Sequence, residues 1–550
     1  LIGKASGVNV STPSGVLNDP PVIRIRGVNS ISLSSYPLVV VDGIPVNTGD
    51  VSTTNSVANN PLSDINPADI ESIDILKDAA STSIYGSRAA GGVLIITTKK
   101  GKAGKAKVTY DTWVGITRAT RQPDLLNNIQ YEEIKNEAVL NSKILTGNEN
   151  NPAVASALFF PSYDANGNRV NTEWKDQVYR DAVSQNHNLG ISGGTEHTKY
   201  YFSANYSKQE GITVDNNFER KGARFNIDHD VNKWLKLGGN LSYNNTFNQA
   251  QNTGSLGSSG LLLIGAARLA FALPPNVSVY NADGTYNLSA TGTASPGNNL
   301  FTNTLWHPGA LFDNSRYTSS NDHFVGNVHA TITFFDGLTF NSNYGIDRLR
   351  SENITYLSPN LGSSAYATGG SSTNISALRN NYNFTNSLAF DRRFAENHHI
   401  AALAGYDVQK YENSSWGANQ TNVADPFFEN YQGTWGTIRA TGNALSERLF
   451  FSTFFRVSYD YAGKYFITGK FRKDGNSSLR ANKKYGNFGG GSVSWNLLEE
   501  SFFSDSKITG FLNNLRLRAS YGIVGISEIG NYPAIGTYNS STYGGSPTLG

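Results

Sequence analysis

The stretch Leu235-Lys236-Leu237-Gly238-Gly239-Asn240-Leu241-Ser242-Tyr243-Asn244-Asn245-Thr246-Phe247 decides the fold. Read with the two-residue period of a β-strand, one face carries Leu235, Leu237, Leu241, Tyr243 and Phe247. The other carries Lys236, Asn240, Ser242, Asn244 and Thr246. The same split recurs upstream, where Tyr200, Phe202, Ala204 and Tyr206 oppose Ser203, Asn205, Ser207 and Gln209. Downstream, Leu449, Phe451, Phe455, Val457 and Tyr459 oppose Ser452, Arg456, Ser458 and Asp460. The apolar faces suit lipid and the polar faces suit water. A soluble β-sandwich alternates in the same way, so this pattern alone leaves both architectures open.

Connection lengths separate them. Alternating strands are expected near 107–117, 186–193, 198–208, 220–229, 234–247, 322–335, 338–350, 379–392, 397–410, 446–460, 464–473, 486–497 and 514–524. Connections at 194–197, 230–233, 336–337, 393–396 and 461–463 are tight, whereas those at 118–185, 248–321, 351–378 and 411–445 are long. Apart from the modest loop 209–219, short and long take turns through residue 497, as periplasmic turns and extracellular loops do in outer-membrane barrels. The connection 498–513 is longer than that rule predicts. The expected fold class is therefore a transmembrane antiparallel β-barrel. Its thirteen strands fall short of the roughly 22 of plugged transporters, so more strands are expected after Gly550. A charge at Phe455, on the lipid face, is expected to destabilise more than one at Ser452, on the lumen face.

Composition agrees with a strand-rich chain. Of 550 residues only 38% are hydrophobic, yet Tyr and Phe number 28 each and Gly 55. Forty-five basic residues against 43 acidic ones give a net charge of +2, which removes the electrostatic case for a nucleic-acid partner. With no cysteine there is no disulfide, thiolate metal site or Cys nucleophile, a composition compatible with an oxidising periplasm. The longest apolar run, Leu261 to Leu273, is about 13 residues and contains Arg268, too short for a transmembrane helix. It is expected to pack within an extracellular loop. With no methionine anywhere, the numbering is expected to begin inside a longer precursor.

Residues 1–105 read differently, as a mixed α/β domain. Val22 to Arg26 and Pro37 to Val41 are β-rich runs, and Asp42-Gly43 is a turn signal. Asn66-Pro67 predicts a helix start leading into Ile70 to Leu76, and Asp78 predicts a second short helix, Ala79 to Tyr85, ended by Gly86. Val93 to Thr98 returns to β.

Gly3-Lys4-Ala5-Ser6-Gly7-Val8, Ile23-Arg24-Ile25-Arg26-Gly27, Pro37 to Pro45 and the run Ile65 to Gly104 resemble the plug of the SusC/RagA family of TonB-linked outer-membrane transporters. The most specific segments are Ile65 to Ile73, Leu76-Lys77-Asp78-Ala79-Ala80-Ser81 and Tyr85-Gly86-Ser87-Arg88-Ala89-Ala90, while Gly91-Gly92 stands where the family more often has Asn-Gly. Phe471-Arg472-Lys473-Asp474-Gly475, Trp495-Asn496 to Glu499-Glu500 and Leu515 to Gly522 resemble mid-barrel segments of the same family. The resemblance implies a plug over residues 1–105, followed by the N-terminal part of the barrel over 106–550. It implies the outer membrane of Bacteroidetes-type bacteria and active import of a glycan or peptide. It also implies a SusD-like surface lipoprotein as a lid, often in a dimer of such pairs, and the TonB-ExbB-ExbD complex as the energy source. The TonB-binding segment would precede residue 1. A siderophore or cobalamin receptor of the same architecture, working without a lid, is the alternative.

Two sets of residues are candidates for function. Arg24, Arg26 and Arg88 are candidates for polar contacts between plug and barrel wall. Asn47, Asp50, Asn55, Asn59 and Asn60 belong to a polar loop expected beneath the substrate, and Trp306, Tyr317, Trp416, Tyr431 and Trp435 are loop aromatics able to stack on a ligand. No cofactor or metal is expected. Asp164-Ala165-Asn166-Gly167-Asn168 begins like a calcium loop, but Arg169 and Lys175 occupy the positions that need Gly and Glu. The eight histidines form no H-E-x-x-H, there is no G-x-S-x-G, and Gly101 to Lys105 lacks the spacing of a phosphate loop, so no residue pattern supports an enzyme.

Overall fold

The structure, a computed structural model, describes residues 3–12, 15–30, 35–52, 59–146, 158–250, 266–300, 305–428, 432–504, 512, 515–526, 530, 540–543 and 546–549. The first strands are β1 (Val8–Ser11), β2 (Val22–Ile25), β3 (Leu38–Val41), β4 (Ile44–Pro45), β5 (Ile70–Leu76) and β6 (Val93–Thr98). The last four form one mixed sheet in the order β4-β3-β6-β5, with β3 and β6 parallel. Val39, Val41, Leu94 and Ile96 make its core, against which Ile70, Ile73 and Ile75 pack.

Ile70 to Leu76 is thus a strand and not the expected helix. Asn66 does cap, its side chain accepting from the Ala68 amide, but what it caps is the single turn Pro67–Asp69. The β-branched isoleucines then gain more from pairing with β6 than from helical packing. The second expected helix forms only over Ala79–Thr82 and tightens into a 3-10 stretch, Ser83–Arg88. Inside that stretch Gly86 has φ of 59° and lies so close to Asp474 that any side chain would collide.

All thirteen expected strands are present: β7 (Gly104–Thr117), β8 (Ala182–Gly194), β9 (Thr198–Glu210), β10 (Asn217–Asp230), β11 (Leu235–Gln249), β12 (Ser315–Phe335), β13 (Leu338–Leu357), β14 (Ser371–Phe394), β15 (His398–Val423), β16 (Trp435–Tyr461), β17 (Tyr465–Asn476), β18 (Tyr485–Asn496) and β19 (Arg516–Ile523). They pair in chain order, each antiparallel to the next, in one sheet whose edges are β7 and β19. Asp336-Gly337, with Gly337 at φ of 94°, makes a two-residue turn between β12 and β13, as a tight periplasmic hairpin requires.

The long connections 351–378 and 411–445 are corrected. Most of each is strand, because β13 to β16 run on to Leu357, from Ser371, to Val423 and from Trp435. At 26 and 27 residues β15 and β16 far exceed the roughly 9–11 that cross a bilayer, so their outer halves stand in water. There both faces can be polar, and no alternation marks the strand. The loops between β7 and β8 and between β11 and β12 build a core of their own from Trp174, Val178, Leu269, Leu273, Trp306 and Leu311. The run ending at Leu273 packs in this core as expected; its described helix is Ala266–Ala272, and residues 261–265 lie outside the described residues.

The facing assignment holds, with one amendment. Phe455 is 52% exposed on the outer face and Ser452 only 2% exposed on the inner face. The inner face is therefore not lined by open water: Asn59, Asp64, Asp69 and Arg88 of the small domain contact it, and Ser452 is hydrogen-bonded to its cross-strand neighbour Asp474. A charge at Ser452 meets packed protein, so the expectation that it destabilises less than one at Phe455 does not follow from this geometry.

Candidate functional site

Three buried polar clusters join the small domain to the sheet's inner face. The first is built on Arg88. Its guanidinium stands 2.9 Å from Asp407 on β15, and it also donates to Gln409. Asp407 is shared with Arg472 of β17 at 3.3 Å, and Arg472 in turn pairs with Asp474 at 2.6 Å. The contacts back to the small domain run through backbone: Arg472 donates to the Ile84 carbonyl at 2.7 Å, and Asp474 accepts from the Ser87 amide at 2.7 Å. Asn383 and Thr385 satisfy the second oxygen of Asp407. Two cations and two carboxylates, each under a tenth exposed, leave no net charge in the cluster. Burial alone would lower the Arg88 pKa, but Asp407, Tyr411 and Asp474 outweigh it and raise it, so Arg88 stays charged.

The second cluster centres on Arg224 of β10, which lies 3.3 Å from Asp42 and 3.8 Å from Asp69. The Tyr201 hydroxyl donates to Asp69 at 2.9 Å, and Asn226 donates to Thr98 and to the Lys99 carbonyl. Arg220, one turn of the pleat away on the same face, donates to the Ser63 carbonyl at 2.8 Å. In the third cluster His323 of β12 is held between Asp64 of the small domain, 2.7 Å from Nδ1, and Asp347 of β13, 2.8 Å from Nε2. Asp347 also accepts from the backbone and side-chain nitrogens of Asn47.

Above these contacts, on the side of the long loops, lies a cavity of about 430 Å³. Tyr36, Asn47, Thr48 and Arg88 line one side, and Tyr411, Asn413, Ser446 and Arg448 line the barrel side. The Tyr36 hydroxyl is pushed up to about 12 by burial, partly offset by Arg24, and remains protonated.

The structure sorts the candidate residues. Arg88 makes the expected contact with the wall. Among the described residues Arg24 donates only to the Ile23 carbonyl, and Arg26 pairs with Asp78 of its own domain at 2.6 Å, both partners being more than half exposed, so neither makes a described contact with the sheet. Asn47 lines the cavity, but its donors are committed to Asp347. Asp50 accepts from the Ser52 and Asn59 amides, a loop-closing role. Asn59 is fully buried, its amide donating to Ser319 and Asn321 of β12, and Asn60 caps the turn Pro61–Asp64. Asn55 and Tyr431 lie outside the described residues. Of the loop aromatics, Trp306 is in the loop core at 6% exposure, Tyr317 is buried at the start of β12, and Trp416 and Trp435 are on strands instead of loops. Trp416 is 71% exposed on β15, while Trp435 is buried and donates to the Gln432 carbonyl.

Sequence reasoning missed Arg220, Arg224, His323, Asp347, Asp407, Arg472 and Asp474. A signal for them existed. Each is a charged or ionisable residue at a lumen-facing position of an alternating strand, and the pairs Arg220/Arg224 and Arg472/Asp474 repeat at even spacing on one face.

Comparison with known proteins fits this geometry. Residues 1–93 match the TonB-dependent Receptor Plug Domain family. A plug of that family held against the inner face of an antiparallel sheet with an apolar outer face defines a TonB-dependent receptor, an outer-membrane β-barrel protein. The chain is 31% identical over 98% of its length to TonB-dependent receptor P3 of Formosa agariphila, covering 49% of it. It is 29% identical over 96% of its length to TonB-dependent receptor SusC of Bacteroides thetaiotaomicron, covering 50% of it. The structure of the RagAB peptide transporter superposes with a TM-score of 0.81 at 24% identity, over all of this chain and 60% of that one, a likeness of fold. The chain is similar to SusC-like TonB-dependent receptors along nearly all of its length, and it spans about half the length of the curated relatives it matches.

Proposed function

We propose that the protein imports a nutrient, a glycan or a peptide, across the outer membrane, with residues 1–105 as the plug and 106–550 as the first part of a barrel of about 22 strands. Arrival of ligand above the plug is signalled to the periplasmic side, and TonB, energised through ExbB-ExbD, pulls on the plug to open a path. A SusD-like lipoprotein forms the lid, and two such pairs associate. The relatives SusC and the RagAB peptide transporter support this reading by name and likeness.

The observation that carries it is the chemistry of the plug interface. Its strongest contacts are ion pairs and amide hydrogen bonds, such as Arg88 with Asp407 and Asn59 with Asn321. Groups of this kind regain water partners when separated, whereas an apolar contact of equal area would not, so a polar interface suits a plug that must move and return. The test uses the full-length receptor in a deletion strain supplied with single glycans or peptides as nutrient. Growth restored by the receptor only when TonB is intact supports import; growth independent of both contradicts it. Recovery of a SusD-like lipoprotein with the receptor from detergent tests the lid separately.

A further inference from the structure

One cation in the cavity above the plug has no counterpart among the described residues. Arg448 on β16 makes no hydrogen bond or ion pair with any described residue, and its Nε is buried without a partner. Its guanidinium is nonetheless held in place. The carbon at its centre lies 4.7 Å from the Tyr411 ring centroid and 4.9 Å from that of Phe450, and the two rings meet edge to face at 6.2 Å. Tyr411 is the direct cross-strand neighbour of Arg448, so the sheet register itself sets this stack.

Stacking engages the faces of the guanidinium and leaves its in-plane N–H groups free. The next rung of the same two strands, Asn413 opposite Ser446, adds neutral hydrogen-bonding groups to the same wall. Among the described residues the cavity lining holds two arginines and no Asp or Glu. Arg88 is neutralised by Asp407, so among the described residues Arg448 is the lining arginine without an ionic partner. At about 430 Å³ the space is within the range of roughly 300–1,000 Å³ typical of small-molecule sites.

We propose that this cavity seats a carboxylate of an anionic ligand, with Arg448 as the charge-recognising residue and Tyr411 and Phe450 as the rings that orient it. The planar, five-donor guanidinium matches a carboxylate in two parallel hydrogen bonds. The carboxylate can be that of an acidic peptide side chain or of a uronic acid in a glycan. This rests on the import reading, because it names the class of ligand taken at the site above the plug.

The test measures binding to the full-length receptor in detergent with two matched pairs of probes. One pair is trigalacturonate and its neutral methyl ester. The other is a C-terminally amidated hexapeptide of alternating Glu and Gly and its Gln counterpart. We expect the acidic member of one pair to bind at least about tenfold tighter than its neutral partner, and the pair that shows this identifies the source. Arg448→Gln should erase the preference, by about ten- to hundredfold in affinity for the acid, while leaving the neutral probe unchanged; Arg448→Lys should restore part of it. Equal binding within both pairs, no binding of either acid, or an acid preference that survives Arg448→Gln in a receptor of unchanged thermal stability overturns the inference. Uptake of a neutral probe by cells alongside any of those results would leave import standing and remove only this proposal. Intact acid-selective binding without uptake of any probe would do the reverse.

Discussion

The two faces of β16 meet different surroundings. Outward, Leu449, Phe451, Phe455 and Val457 are each about half exposed; inward, Ser452 is almost completely covered, together with Phe450 and Phe454. In a soluble protein the apolar face would be the covered one. The inversion shows that the strand is written for two different surroundings, lipid on one side and a docked polar domain on the other. The inner face is thus less forgiving than a water-filled lumen, because several of its polar groups, Asp407, Arg224 and His323 among them, are paired with partners on the plug.

The largest expected effect tests that matching. Asp407→Ala leaves Arg88 and Arg472 buried without their shared carboxylate and should destabilise the receptor by about 3–5 kcal/mol in urea unfolding of the full-length protein in detergent. A change under about 1 kcal/mol would mean that the cluster is wet.

Phe455→Arg places a charge in the hydrocarbon layer and should cost about 2–4 kcal/mol in a bilayer refolding assay. Ser452→Arg should cost a comparable amount because Ser452 is 2% exposed and hydrogen-bonded to Asp474, whose carboxylate also accepts from the Ser87 amide of the plug, and the penalty should fall when the plug is deleted. A cheap Ser452→Arg in the intact receptor would show that the plug does not press on this wall.

The extracellular loops sharpen the contrast, since there the chain returns to an apolar core. His307, packed edge to face on Trp174, accepts from the Ala310 amide through Nδ1 and lies 3.0 Å from the Val279 carbonyl through Nε2, an arrangement of the neutral ring. Burial pushes its pKa down to about 4 from the ordinary 6.5. With the folded value below the unfolded one, its contribution to loop stability is complete above 6.5 and is lost as pH falls toward 4. Hydrogen exchange at the Ala310 amide, corrected for intrinsic rate, should lose protection on the order of tenfold between pH 7 and pH 5, and His307→Gln should flatten that dependence. Protection that does not change with pH in the wild type would contradict the neutral-ring assignment.

The smallest effect belongs to a single plug contact. Tyr201→Phe removes one hydrogen bond to Asp69, which keeps Arg224 nearby, and should cost about 1–2 kcal/mol in the same urea assay. No change at all would place Tyr201 out of reach of the plug.

Much of this architecture was legible in the residues. The period-2 faces gave each strand its place, because a membrane sheet must separate lipid from lumen at every second residue. Legibility ended where that constraint did. Beyond the bilayer, β13 to β16 keep no strict apolar and polar alternation, so their outer halves looked like loops and Trp416 and Trp435 were placed on the wrong element. In the plug, Asn66-Pro67 carried a true capping signal, but a cap fixes only the turn it begins; whether Ile70 to Leu76 coils or extends was settled by the distant β6. The same limit hid the interface. Asp407, Arg472 and His323 stand at lumen-facing positions, yet their partners on the plug lie hundreds of residues away, as with Ser87 and Asp474, and nothing local to either residue announces the pair.

The most direct test is a spin-label scan of β16 by single cysteines placed in an otherwise cysteine-free full-length receptor reconstituted in lipid. Labels at 449, 451, 455 and 457 should be reached by membrane-dissolved oxygen, while labels at 450, 452 and 454 should be shielded from both oxygen and a water-soluble nickel chelate until the plug is deleted. Aqueous access at the first set, or oxygen access at the second with the plug in place, would contradict a lipid-facing sheet closed on its inner side by its own N-terminal domain.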